Sequence, residues 1–349
     1  MNRRERSVAI VGATGAVGRE FLRVMEDRRF RVSELRLISS ERSAGSTMVF
    51  RGEPHPVSVM TDRSFDGIDV AFFSAGGSVS REHAPRAVAR GATVIDNSSA
   101  FRMAEGVPLV VPEVNPEALA PIRGKPAIIA NPNCSTIIML VAVTPLRRNF
   151  GVRRVVVSTY QAVSGAGAAA MEELETLTRA AVEGRKAEPR IFREPCAFNC
   201  FSHDSAMDPR TGRNLEEQKM IDETRKMWGD PAARVFATCI RVPVPRAHSE
   251  AIVVELERPA SEDQVRAAFA AAPGVRVLDD RASNDFPTPA KAAGRDEVLV
   301  GRIRPDESLP SESAGGRTMH SGWALWACGD QLRKGAALNA VQIAEALDA

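Results

Sequence analysis

The chain has 349 residues, more than one ordinary core organises, which points to two domains. Apolar residues at 44% and charged residues at 26% are globular values, and a net charge of +2 from 46 basic and 44 acidic side chains offers no clustered basic face for nucleic acid. No apolar run approaches the roughly eighteen residues of a membrane span, so neither nucleic acid nor membrane is an expected partner, while an anionic small molecule needs only a few local cations.

The start, Met1-Asn2-Arg3-Arg4-Glu5-Arg6, is basic, but the apolar stretch Val8–Val11 behind it is too short for the core of a secretory leader. Five cysteines, an odd number in a long chain, fit a reducing compartment better than a disulfide framework, and together these features imply a cytoplasmic protein. Ser7–Val11 reads as a strand, Gly12–Gly18 as a glycine turn, and Phe21, Leu22 and Met25 recur at helical spacing. Leu35–Ile38, Val70–Phe73 and Thr93–Ile95 are further short strands, with a helix over Val79–Arg90. Strands alternating with helices predict a parallel, doubly wound sheet of Rossmann type.

Prolines at 108, 112, 116, 121, 126 and 132 punctuate a transitional region. Beyond it Val152–Thr159 reads as a strand, and Ala168–Val182 and Leu215–Trp228 as helices. Val235–Val242, Ala251–Leu256, Val275–Leu278 and Val298–Ile303 read as more strands. Such a block predicts an α+β domain with a mixed sheet and helices on one face. A last helix is expected over Asp330–Ala346. The predicted class is therefore α/β: a nucleotide domain of residues 1–130 completed by a C-terminal helix within 330–349, and a catalytic, substrate and dimerisation domain of 131–329.

The turn Gly12-Ala13-Thr14-Gly15-Ala16-Val17-Gly18 is a G-x-x-G-x-x-G variant of the dinucleotide fingerprint. Its glycines let backbone approach a pyrophosphate whose charge the helix N-terminus meets; packing alone is the competing explanation. At the end of the second strand Ser39, Ser40 and Arg42 are donors for a 2′-phosphate. Glu41 between them is the rival NAD-type acid. NADP is the expected cofactor.

Asn131-Pro132-Asn133-Cys134 precedes the apolar run Ile137–Val143, which puts Cys134 in the first turn of a buried helix. The positive end of that helix favours the thiolate over a merely buried thiol. Among five histidines His248 has the most suggestive setting, between two strands in Arg241–Glu250. Cys196, Cys200, His203 and Asp204 lie close in sequence, yet no second ligand cluster accompanies them, and no metal is expected.

With these pieces in order the chain resembles the aspartate-semialdehyde dehydrogenase family. The resemblance is carried by Gly12–Gly18, Ser98–Arg102, Asn131–Thr136, Gln161–Gly167, Glu216–Met220, Arg241–Glu250 and Lys334–Gln342. It implies that Cys134 forms a thioester, that His248 is general acid/base and that Gln161 orients the acyl group. It gives Arg102, Lys219 and Asn133 to phosphate, Arg241 to the α-carboxylate and Glu216 to the α-amino group. Ser164, Gly165 and Gln331 join the glycine loop at the cofactor. The implied reaction is NADPH-dependent reduction of L-aspartyl 4-phosphate to L-aspartate 4-semialdehyde with loss of phosphate. It serves biosynthesis of lysine, diaminopimelate, threonine, methionine and isoleucine, in a homodimer or dimer of dimers. The family's Asp-Asn-Leu stands here as Asp330-Gln331-Leu332. N-acetyl-gamma-glutamyl-phosphate reductase is the nearest alternative, although an acidic partner for a free ammonium (Glu216, Glu217) would be pointless there. A non-catalytic Rossmann-type protein is the other.

Overall fold

The computed structural model describes residues 5–348, so the basic Met1–Arg4 start lies outside it. The chain forms two compact units, the first running to Asn133 and resuming at Ala336, the second spanning Cys134–Gly335.

In chain order the first unit contains β1 (Arg6–Val11), α1 (Ala16–Asp27), β2 (Val32–Ser39), β3 (Thr47–Phe50), β4 (Glu53–Val59), β5 (Val70–Phe73), α2 (Gly77–Ala89), β6 (Thr93–Asp96) and β7 (Ile128–Ala130). The sheet order is β3-β4-β2-β1-β5-β6-β7, parallel except for the β3–β4 edge pair. Adjacent phenylalanines on β5 point to opposite faces, as strand alternation requires. Phe72 stacks on Phe21 of α1 at 4.7 Å between ring centroids, and Phe73 stacks on Phe65 at 5.7 Å. Both faces of the sheet are thus covered, which is why its strands read as continuous apolar runs. Leu338, Val341 and Ile343 join the Phe21–Phe72 core from the returning C-terminal segment.

The second unit begins with α3 (Cys134–Phe150), β8 (Val152–Gln161), α4 (Ala168–Val182), β9 (Phe201–Ser202), β10 (Met207–Asp208), β11 (Arg213–Asn214), α5 (Leu215–Trp228), β12 (Arg234–Arg241) and β13 (His248–Ala260). It continues with α6 (Glu262–Ala270), β14 (Val275–Val277), α7 (Pro289–Ala292), β15 (Val298–Pro305), β16 (Ser311–Ala314) and β17 (Arg317–Gly329). Its mixed sheet runs β14-β15-β17-β13-β8-β12-β9, with β16 on β17. Helix α3 is buried without a break from Ser135 to Leu146 and packs on this sheet. Helix α5 starts with a reciprocal capping box between Asn214 and Glu217.

The C-terminal segment departs from the expected single helix over Asp330–Ala346. Residues 331–332 form a turn, 333–337 a wide π turn, and only α8 (Leu338–Ala346) is α-helical. The cause is local: the Asp330 carboxylate accepts N–H bonds from Leu332 (3.0 Å) and Arg333 (3.2 Å), and Gly335 N–H bonds five residues back to Asp330 C=O. Among the described residues no helix is long and apolar enough to cross a membrane.

Candidate active site

In the first unit the glycine turn is sterically determined. Gly12 has φ +89, and a Cβ there would sit 2.4 Å from the Ser74 carbonyl oxygen; at Gly18 it would sit 2.3 Å from the Gly12 and Ala13 carbonyl oxygens. Gly12 and Ala13 N–H groups bond to Ile38 C=O, at 2.8 and 3.1 Å, which ties the turn to the end of β2. Ala13 is fully buried, Ala16 opens α1, and Val17 packs against the core. Helix α1 has no acidic residue in its first turn, so nothing there opposes an approaching anion. A cavity of about 420 Å³ lies against this turn, lined among others by Gly12, Thr14, Gly15, Ser39, Ser40 and Arg42; Glu41 does not line it. Thr14 and Ser39 hydroxyls bond each other at 2.7 Å, presenting a hydroxyl pair beside Arg42.

Also in this unit, the Asp96 carboxylate accepts from Ser80 (2.7 Å) and from the Ser98 hydroxyl (2.7 Å), shaping the turn that leads to Arg102. The buried Arg102 guanidinium donates to the carbonyls of Asn131 (2.9 Å) and Asn97 (2.8 Å). Both polar atoms of the Asn97 side-chain amide are buried without a protein partner, an opening for a polar ligand next to that guanidinium. Asn131 is held by Asn339, whose amide donates to its side-chain oxygen at 2.7 Å, and Asn133 is buried two residues further on.

In the second unit Cys134 is the first residue of α3, and its Sγ lies 3.4 Å from Nε2 of the wholly buried His248. The other ring nitrogen, Nδ1, accepts the backbone N–H of Ala162 at 2.9 Å. A backbone amide only donates, so the neutral ring carries its proton on Nε2, facing sulfur. Burial first, and then the Arg241 charge, push the His248 pKa down to about 3. The pair is therefore sulfur with a neutral imidazole donor. Gly335 packs directly against the nucleophile: a Cβ there would stand 2.8 Å from Cys134 Cβ.

One chain of contacts links the remaining residues of this unit. Gln161, at the end of β8, accepts from Thr159 (3.0 Å) and donates to Glu216 (3.1 Å), whose other oxygen accepts from Lys219 (3.0 Å). Arg241 ends β12, in register with Gln161, and donates to Ala162 C=O at 2.8 Å. Ser164 is buried, and Gly165 sits where a Cβ would meet Arg241 at 3.4 Å and the His248 ring at 3.6 Å. Glu217, by contrast, has its carboxylate taken up by the Asn214 and Cys239 N–H groups, at 3.0 and 3.1 Å.

Sequence reasoning missed three partners. Asp204 accepts from Arg241 Nε and Nη2 at 3.2 and 2.8 Å, and His203 Nε2 lies 2.9 Å from the same guanidinium. In sequence Asp204 and His203 stand out only within the Cys196–Asp204 cluster considered for a metal; the β9–β12 pairing delivers them to Arg241. Gln331 is the third: its amide is engaged within this unit, accepting from Ala247 N–H (2.8 Å) and donating to Ser164 Oγ. Cys196 is buried and Cys200 exposed, and among the described residues no three His, Cys, Asp or Glu side chains form a group that could hold a metal.

Comparison with known proteins gives a consistent picture. The model of the semialdehyde dehydrogenase NAD binding domain matches residues 7–122, and that of the semialdehyde dehydrogenase dimerisation domain matches residues 143–334. Aspartate-semialdehyde dehydrogenase of Synechocystis sp. is 50% identical over 342 residues, covering 97% of this chain and 96% of its own length. The Aquifex aeolicus protein of the same name is 50% identical over 342 residues, covering 97% of each. The crystal structure of aspartate semialdehyde dehydrogenase II from Vibrio cholerae complexed with ASA matches with a TM-score of 0.91 at 45% identity, over 99% of this chain and 98% of that one.

Proposed function

The chain belongs to the aspartate-semialdehyde dehydrogenase family, and from that premise we propose how its residues divide the work. It is an NAD(P)-dependent oxidoreductase of amino-acid biosynthesis, interconverting L-aspartyl 4-phosphate and L-aspartate 4-semialdehyde. The observation that carries the residue-level reading is the 3.4 Å approach of Cys134 Sγ to His248 Nε2 at the start of a buried helix.

The glycine cradle, the acid-free start of α1 and the hydroxyl pair fit a dinucleotide. Gly12 to Val17 would hold its pyrophosphate, Ser39, Ser40 and Arg42 its 2′-phosphate, and Ser164, Gly165 and Gln331 its nicotinamide end. That set favours NADP over NAD. When bound, NADPH supplies the hydride that reduces the acyl carbon.

The protein's own part begins with Cys134. Its thiolate, favoured by the α3 N-terminus, attacks the acyl carbon; a C–S bond forms and the bond to phosphate oxygen breaks, leaving a thioester. His248 meets sulfur and the developing oxyanion as a hydrogen-bond donor from Nε2. Gln161 orients the acyl group. Glu216 receives the α-ammonium, Arg241 the α-carboxylate, and Arg102, Lys219 and Asn133 the phosphate.

A homodimer is the assembly, as the dimerisation-domain match implies, and a dimer of dimers is its proposed larger form. Phe236 and Tyr160, 55% and 38% exposed, stand on the face of the second unit's sheet away from Arg241 and Gln161, an apolar surface suited to this contact. A nucleophilic thiol must stay reduced, which suits the cytoplasm. The deciding assay is phosphate-dependent reduction of NADP and of NAD with aspartate semialdehyde and with N-acetylglutamate semialdehyde. Turnover of the first aldehyde with NADP, abolished in Cys134→Ala, is expected; preference for the acylated substrate, or an active alanine variant, would sink the assignment.

A further inference from the structure

Six non-glycine residues among those described have positive φ, and only Ala247, at +73, is buried. It immediately precedes His248. A side chain in this left-handed region is strained and persists only where its surroundings impose it. Here the imposing groups are identifiable. The β13–β17 ladder ends at the pair His248 and Gly329, so Ala247 N–H lies beyond its last backbone partner. The side-chain carbonyl of Gln331, two residues past Gly329, takes that N–H at 2.8 Å. The Gln331 amide nitrogen is anchored in turn on Ser164 Oγ. Next door Arg246 Nε is fastened to Asp330 Oδ2 at 2.7 Å. The residue ahead of His248 is thus clamped from one dipeptide, Asp330-Gln331.

We propose that Gln331 is a positioning residue for His248, holding Ala247 in its left-handed conformation so that Nε2 faces Cys134. The inference rests on the reading of His248 as the partner of Cys134, and goes beyond it by giving Gln331 a role independent of any contact with the cofactor. Released from the clamp, an alanine relaxes toward right-handed or extended backbone and carries the imidazole with it. A glycine has no such preference and needs the clamp less.

The test is a double-mutant cycle of Gln331→Leu and Ala247→Gly, read by turnover with aspartate semialdehyde, phosphate and NADP. A second readout is the pH profile of Cys134 alkylation by iodoacetamide, followed on the peptide that contains it. Gln331→Leu should lower kcat by on the order of ten- to a hundred-fold with KM for semialdehyde and phosphate little changed, as expected for a reacting group displaced by about 1 Å. The same substitution should cost several-fold less in the Ala247→Gly background. Wild-type kcat in Gln331→Leu, strictly additive losses, or a defect confined to KM for NADP would overturn the proposal. If Gln331→Leu does not fold, Gln331→Ala, which removes the amide altogether, must show the same non-additivity. A His248→Gln variant with undiminished turnover would remove the underlying reading and this inference with it.

Discussion

Gly335→Ala isolates the packing of the nucleophile. The φ of Gly335 is not in the left-handed region, so alanine fits the backbone and any effect is steric. The added Cβ would lie 2.8 Å from Cys134 Cβ, 3.3 Å from Cys134 Cα and 3.3 Å from Gln331 Cβ. Carbon atoms pack at about 3.5–4.0 Å, so the closest contact is short by roughly 0.7–1.2 Å. Two of the three neighbours belong to the first residue of α3, which is buried along most of its length and cannot retreat as a flexible side chain would. Overpacking of this kind costs about 1–3 kcal/mol of stability. A displacement of the sulfur by about 1 Å costs on the order of a hundred-fold in rate. Steady-state turnover, Cys134 alkylation and a urea melt measured on one preparation separate the two effects. A kcat within about three-fold of wild type, with unchanged alkylation, would refute the claim that Gly335 sets the position of the nucleophile.

Arg102→Leu should raise KM for phosphate while sparing the semialdehyde, and Arg241→Leu should do the reverse, each by about 2–5 kcal/mol of lost binding; equal losses on both substrates would contradict the assignment. Arg241→Lys should fare little better than leucine, since an ammonium cannot reproduce the two-pronged contact the guanidinium makes with Asp204 Oδ1. Arg42→Ala should weaken NADP about ten-fold and leave NAD nearly unchanged, measured by fluorescence titration. For pH, the folded His248 pKa of about 3 lies below its ordinary 6.5, so the unfolded chain takes up a proton that the folded chain refuses. Stability therefore falls as pH drops through about 6.5, and the loss is complete near the folded value. Between about pH 7.5 and 5.5 this amounts to about 1.4 kcal/mol. His248→Gln should lack that share in parallel denaturant melts; identical pH slopes would show that His248 titrates freely.

Local pattern carried much of this molecule. The covered parallel sheet was legible because β1 and β5, buried on both faces, must be apolar throughout, and the glycine turn because backbone contacts at Gly12 and Gly18 leave no room for a Cβ. Cys134 at a helix start was legible because a polar Asn-Pro-Asn leads into an unbroken apolar run. The long strands are less legible: β13 begins at His248, ahead of the expected Ala251, and runs past Leu256 through Glu257 to Ala260, where charge and proline look like a loop, and β17 is not read as a strand at all.

The segment from Asp330 reads as helix in sequence because its apolar spacing reports burial, which a π turn packed beside Cys134 satisfies equally well. Asp204 on Arg241, Ala162 on His248 and Gln331 on Ala247 join residues 37 to 86 positions apart. Periodicity within one element says which side of it is buried and nothing about which atom lies across from it. Those partners are chosen by strand register, His248 against Gly329 and Arg241 against Gln161, and register exists only once the sheet has closed. Residue chemistry along the chain therefore determined what the site contains, and the tertiary structure alone decided which way each of its groups is held.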